Sequence, residues 1–162
     1  MFKAKFEVKE GEVMYFKGKE TIPVDSTDVD YEVQQESFFY YLFGVQELAC
    51  NMVVTLPDFT PHLFIPKFDF IYKIWMTTFD LEDAKKTYPD FEIHYNDELE
   101  TFVKQHGKRQ VYINKGVNSD SGLSTLVPTH DWFADLNINV TDLHNVLSES
   151  RSIKNPLEIE ML

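Results

Sequence analysis

The chain has one cysteine in 162 residues, Cys50, so no internal disulfide can form and nothing calls for an oxidising compartment. Cations are scarce too: 15 Lys and Arg stand against 27 Asp and Glu, a formal net charge of -12, so the average surface repels nucleic acid and anionic lipid. The densest basic stretch, Lys104 to Lys115, is interrupted by neutral residues and does not reverse this. Six glycines are dispersed, and none opens a helix in a phosphate-cradling pattern. No apolar run is long enough for a membrane span. Residues Met1 to Glu7 show neither the apolar core of a signal peptide nor the arginine-rich pattern of a transit peptide. These absences predict a cytoplasmic protein with no nucleic-acid and no membrane partner, in which the sequon Asn139-Val140-Thr141 is a chance match.

Catalytic signatures are missing as well. The histidines His62, His94, His106, His130 and His144 never form the His-Glu-x-x-His spacing that puts two metal ligands and a base on one helix face. The spacing therefore points to no protein-built metal site, although distance along the chain does not exclude convergence in space. Ser37 and Ser121 lie outside a Gly-x-Ser-x-Gly elbow, and Cys50, in a strand-like segment with no cation nearby, reads as an inert small hydrophobe. The acids Asp25, Asp28, Asp30 and Glu32 lack the central glycine and distal glutamate of a calcium loop. No catalytic residue is assigned.

What is present is a globular composition, 43% hydrophobic, sufficient for one domain with a substantial core. The organising stretch is Gln34 to Val45, seven of whose twelve residues are aromatic or aliphatic and which reads as a core anchor. Strands are predicted at Glu12–Lys17, at Met52–Leu56 and Leu63–Ile65 flanking the turn Pro57-Asp58-Phe59-Thr60-Pro61, at Phe91–Tyr95 and at Gln110–Asn114. Phe70, Ile71, Ile74 and Trp75, spaced by three and four, read as a helical face packed into the core. Asp80 opens a short helix, Asp97 caps another ending at Gly107, and Asn155 caps a last one with Pro156 in its first turn. Asn137 to Leu147 is ambiguous. Strands alternating with helices predict an α/β fold with a mixed or mostly parallel sheet and helices packed on it.

Three segments resemble the N-terminal domain of the Xaa-Pro dipeptidases (prolidases), within the creatinase and aminopeptidase P superfamily. They are Gln35-Glu36-Ser37-Phe38-Phe39 through Phe43-Gly44-Val45 with Glu47; Gly116-Val117-Asn118-Ser119-Asp120-Ser121-Gly122; and Leu143-His144 followed by Glu149-Ser150-Arg151 and Lys154 through Glu158-Ile159-Glu160. The resemblance implies a ribonuclease H-like motif, a mixed central β-sheet flanked by helices. It implies that residues 1–154 form the N-terminal domain and that residues 155–162 begin the helix leading to an absent pita-bread catalytic domain. In that family two divalent metals, usually manganese, are held in the catalytic domain by two aspartates, a histidine and two glutamates, and two metals suit hydrolysis of the amide before proline.

This chain would then contribute dimer contacts to a homodimeric enzyme acting on Xaa-Pro dipeptides, without hydrolysing them itself. Trp75 matches a family Trp-Met that closes over the partner's pocket, and Asp28 matches an acidic loop near the same mouth. Two departures stand out: Gln34 replaces a usual arginine, and fewer residues precede the first strand. The rival reading is a free-standing peptidase-like interaction module whose acidic surface binds a basic protein partner.

Overall fold

The run Glu12-Val13-Met14-Tyr15-Phe16 is apolar on both faces because both faces are covered: β1 (Glu12–Lys17) is buried from Glu12 through Phe16 at the middle of a six-stranded sheet. The computed structural model describes residues 7–125 and 127–162; Met1 to Phe6, read above for a leader, lie outside the described residues. β2 (Asn51–Thr55) pairs antiparallel with β1 and then with β3 (Thr60–Ile65), which is the hairpin expected around Pro57 to Pro61. β4 (Glu92–Tyr95) runs parallel to β3, β5 (Gln110–Ile113) parallel to β1, and β6 (Ile138–Asn139) parallel to β5. The order β4-β3-β2-β1-β5-β6 makes the sheet mixed, as expected.

Helices cover both faces. On one lie α1 (Ser37–Phe43), α2 (Leu81–Thr87) and α4 (Leu143–Ser152), whose Phe38, Phe39, Ala84, Leu143 and Leu147 pack on Met14, Phe16, Met52, Leu63 and Ile65. On the other lies α3 (Leu99–His106), whose Leu99 and Val103 meet Val13, Tyr15, Val53, Phe64 and Val111. A short helix α5 (Pro156–Met161) follows, with Asn155 and Glu158 forming the capping box that their spacing signals. No helix among the described residues is long and apolar enough to cross a membrane.

Two expectations need correction, and one stretch left open is resolved. Asp97 does not cap α3: it lies inside a 3-10 turn, Asn96–Glu98, that runs into the helix. The ambiguous 137–147 stretch splits into the two-residue β6 and the start of α4. Its asparagine has a structural task, since Asn139 Oδ1 accepts from the Thr141 and Asp142 amides at 3.0 and 3.1 Å, a turn that feeds α4. The second correction concerns the stripe from Phe70 to Trp75, which is not core. The segment folds as a 3-10 turn, Phe70–Ile74, with Trp75 at its end. At three residues per turn, Phe70, Ile71, Ile74 and Trp75 fall in three directions rather than along one face. All four are exposed, Trp75 by 81%.

Candidate functional site

The exposed segment between β3 and α2 is an apolar ridge. Phe70, Ile71, Tyr72, Ile74, Trp75 and Met76 all reach solvent, and the Trp75 indole takes no ring contact or hydrogen bond from the described residues. The turn is pinned at its start by Asp69, whose Oδ1 accepts from the Ile71 amide at 3.2 Å, and at its foot by Lys73 Nζ, 3.3 Å from Asp80 Oδ2. Asp80 also takes the Asp83 and Glu82 amides at the head of α2. The Asp83 amide first, and then Lys73, hold its carboxyl below the usual carboxylate range. Behind the ridge is a cleft of about 400 Å³ lined by Pro66, Phe68, Phe70, Lys73, Phe79 and Tyr95, among others. Asp28 lies elsewhere along the chain, exposed in the loop between β1 and α1 beside the Pro23–Asp30 bridge, and no hydrogen bond or ion pair joins it to Trp75.

The residues that carry the resemblance fix the scaffold. Gln35 Oε1 accepts from the Lys19 and Glu36 amides at 2.7 and 2.9 Å, while its Nε2 donates to the Glu47 carbonyl at 2.9 Å. One side chain thus ties the end of β1, the start of α1 and the chain after α1. Glu36 caps α1 through the Phe39 amide at 2.8 Å, and Gly44 closes it in the left-handed region at φ 66°. Arg151 of α4 lies over the Phe38 and Tyr41 rings, 5.3 and 5.4 Å from their centroids. Gly116 is required by close approach: a Cβ there would lie 2.0 Å from the His144 ring, which is itself held by Asn114 Oδ1 at 2.9 Å. Asn118 Oδ1 takes the Asp120 and Ser121 amides at 2.9 Å each, folding the 116–122 loop on itself. Gln34 is exposed.

The histidines, scattered in sequence, are gathered by the fold into separate environments. His130 Nε2 is 3.0 Å from the Tyr15 hydroxyl, which donates to Asn51 Oδ1 at 2.7 Å; Asn51 in turn donates to Asn96 at 3.0 Å. Burial, the main cause, raises the Tyr15 phenol and lowers His130; burial likewise pushes the Cys50 thiol up to about 12, which keeps it inert as expected. His62, His94 and His106 meet on the α3 face, with the Phe102 ring 4.6, 5.3 and 4.2 Å from theirs. Within this group, His62, Glu92 and His94 place one ligand-type atom each within 4.8 Å of one another. Burial lowers the His62 pKa, with Glu92 opposing. Nothing in the sequence spacing signals this trio, because a parallel pairing across some thirty residues creates it.

The pair of divalent metals implied by the resemblance does not fit here. It calls for two aspartates, a histidine and two glutamates, and among the described residues the one trio of suitable donors is two histidines and a glutamate.

The aminopeptidase P, N-terminal domain family matches residues 2–113. The Xaa-Pro dipeptidases of Pongo abelii and Homo sapiens are 30% and 29% identical over 156 residues, covering 96% of this chain and 32% of each relative. The chain therefore spans about a third of the length of these curated relatives. The zinc-substituted aminopeptidase P of E. coli in complex with product shares the fold, with a TM-score of 0.63 at 20% identity over 94% of this chain and 37% of that one.

Proposed function

Since the chain belongs to the aminopeptidase P N-terminal domain family, we propose that it serves as the non-catalytic N-terminal domain of a longer, cytoplasmic Xaa-Pro dipeptidase-like metallopeptidase. Residues 1–154 are its body, and residues 155–162 begin the connection to a two-metal catalytic domain, with manganese as the expected metal. In a homodimer, this domain covers the partner's active-site mouth through Trp75, with Asp28 on the rim. The observation that carries the reading is the exposure of Trp75, 81%, at the head of an apolar ridge that is left uncovered by the described residues. A large aromatic left in water on a short, locally pinned turn is the pattern of a contact made to something else. The relatives' length supports a catalytic part beyond this chain.

The test is Trp75→Ala in the full-length enzyme, comparing Gly-Pro with a longer peptide ending in the same pair. The expected result is an intact dimer whose discrimination against the longer peptide falls about thirtyfold, the size of a lost hot-spot contact of about 2 kcal/mol. Unchanged discrimination in a folded dimer overturns the cover. A second measurement addresses the domain assignment: the 162-residue chain alone should not hydrolyse Gly-Pro with manganese present. Salt-sensitive capture of a basic protein by a chain that exists in cells at 19.0 kDa would favour the interaction module instead.

A further inference from the structure

We propose that His62, Glu92 and His94 form a site for one divalent transition-metal cation of the zinc class, clasping the edge strand of the sheet to its neighbour. The inference is independent of the cover role. It begins with register: β3 and β4 pair in parallel with His62 opposite Glu92 and Phe64 opposite His94. Side chains two apart on a strand share a face, so the pairing alone delivers two imidazoles and a carboxylate to the α3 side of the sheet.

The spacing matches a metal. His62 Nδ1 is 3.3 Å from His94 Nε2 and 3.3 Å from Glu92 Oε2. Two donors each about 2.0–2.1 Å from a tetrahedral zinc lie about 3.3–3.4 Å apart, so these two edges have the required length. The outer partners fit as well. His62 Nε2 faces the Thr55 hydroxyl at 3.3 Å, and that hydroxyl is 3.4 Å from the Thr60 carbonyl, leaving its lone pair for an imidazole N–H. His94 Nδ1 faces Glu98 Oε2 at 4.0 Å, and Glu98 is itself positioned by the Tyr95 amide on Oε1 at 3.1 Å. His62 Nε2 is thus within hydrogen-bond reach of an oxygen behind it, and His94 Nδ1 has a carboxylate on its outer side at a longer distance; an oxygen behind the ring is what orients a metal-binding histidine with its lone pair inward.

With the ring protons on the outer nitrogens, His62 Nδ1, His94 Nε2 and Glu92 Oε2 present three lone pairs to one point, where a cation would hold them together. The ring of Phe64, 4.9 Å from His94, and that of Phe102, 4.6 Å from His62, wall the trio and exclude water from that side. Glu92 is exposed, so the open side leaves the fourth position to water. Two imidazoles with one carboxylate select zinc-like cations over calcium or magnesium, which prefer all-oxygen shells.

The experiment uses the 162-residue chain, stripped with a chelator and titrated with zinc by calorimetry, with cobalt absorption as a report of tetrahedral geometry. One zinc per chain is expected, unaffected by excess calcium. Glu92→Gln, an exposed near-isosteric change, should weaken binding at least about tenfold, and Glu98→Gln about tenfold through the ring it orients. Zinc at a hundredfold excess over its dissociation constant should raise the thermal midpoint by on the order of 5 °C in the parent chain and not in Glu92→Gln with His94→Gln combined. The proposal is overturned if no saturable binding occurs, if calcium displaces the zinc, or if Glu92→Gln binds as the parent does. The last result would mean that a proton shared among the three groups, or the acidic surface, accounts for the cluster. Should His94→Gln fail to fold, Glu92→Gln alone decides.

Discussion

Ser37–Phe43 and Phe70–Trp75 are two short aromatic segments, each opened by an acidic cap, yet the first lies on the sheet and the second stands away from it. Composition does not separate them. What separates them is helix type and anchorage. In α1 the α-helical turn brings Phe38, Phe39 and Phe43 round to Phe16 and its neighbours, and Gln35 ties the helix start to two other parts of the backbone. In the ridge the tighter 3-10 turn disperses the rings, and its fixed points, Asp69 and Lys73, are local and exposed. An apolar side chain is a core residue only where the backbone gives it a direction; without that, the same composition makes a contact surface.

The sharpest way to break this contrast is to truncate one ring in each segment. Phe39 is fully buried, so Phe39→Ala should lose about 3–5 kcal/mol, whereas Trp75→Ala should stay within about 0.5 kcal/mol of the parent in urea unfolding of the isolated chain. Comparable losses at both sites would mean that the ridge is part of the core after all. Next in size is Gln35→Ala, which leaves the Lys19 amide and the Glu47 carbonyl without their partner and should cost about 2 kcal/mol. If it proves neutral, the ordering of α1 comes from ring packing alone.

The caps sharpen the comparison at smaller scale. Glu36→Ala removes the acceptor for the Phe39 amide in a packed helix and should cost about 1 kcal/mol. Asp69→Ala removes the matching acceptor for Ile71, but from a turn that packs little, and should leave the unfolding midpoint nearly unchanged. Equal effects would show that the ridge is folded into the same cooperative unit as α1.

Much of the fold was legible because its signals are local. Asp80, Gly107 and Asn155 stop or start helices by bonds to amides and carbonyls within a few residues, and the unbroken apolar run of β1 announces a strand covered on both sides. At Phe70 to Trp75 a spacing of three and four suggests an α-helical face, but spacing does not choose between α and 3-10 turns, and that choice decides exposure. Likewise Asn139 was invisible as a turn-former because β6 is only two residues long and shows no alternation. The histidine trio was illegible for a different reason: it depends on which strand pairs with β3, a fact of topology that no local pattern encodes.

The smallest predicted effect concerns the buried polar chain that runs under neither aromatic segment. His130 sits against Tyr15, Trp132 and Phe133, and burial, with Lys17 adding, holds its pKa below the ordinary histidine value; Asp131 and Glu100 oppose the shift. The folded state therefore favours the neutral ring. Its contribution is fully present above the unfolded value of about 6.5 and is lost as pH falls through the lower folded value, because the unfolded chain binds that proton first. His62 is shifted in the same direction and remains in any His130 variant, so the useful quantity is the difference between two slopes. Urea midpoints of the parent and of His130→Gln, each taken at about pH 7.5 and about pH 5.5, should show a shallower decline in the variant. Parallel declines would mean that His130 keeps its proton equilibrium on unfolding, and that the Tyr15–Asn51–Asn96 chain is held by its neutral hydrogen bonds alone.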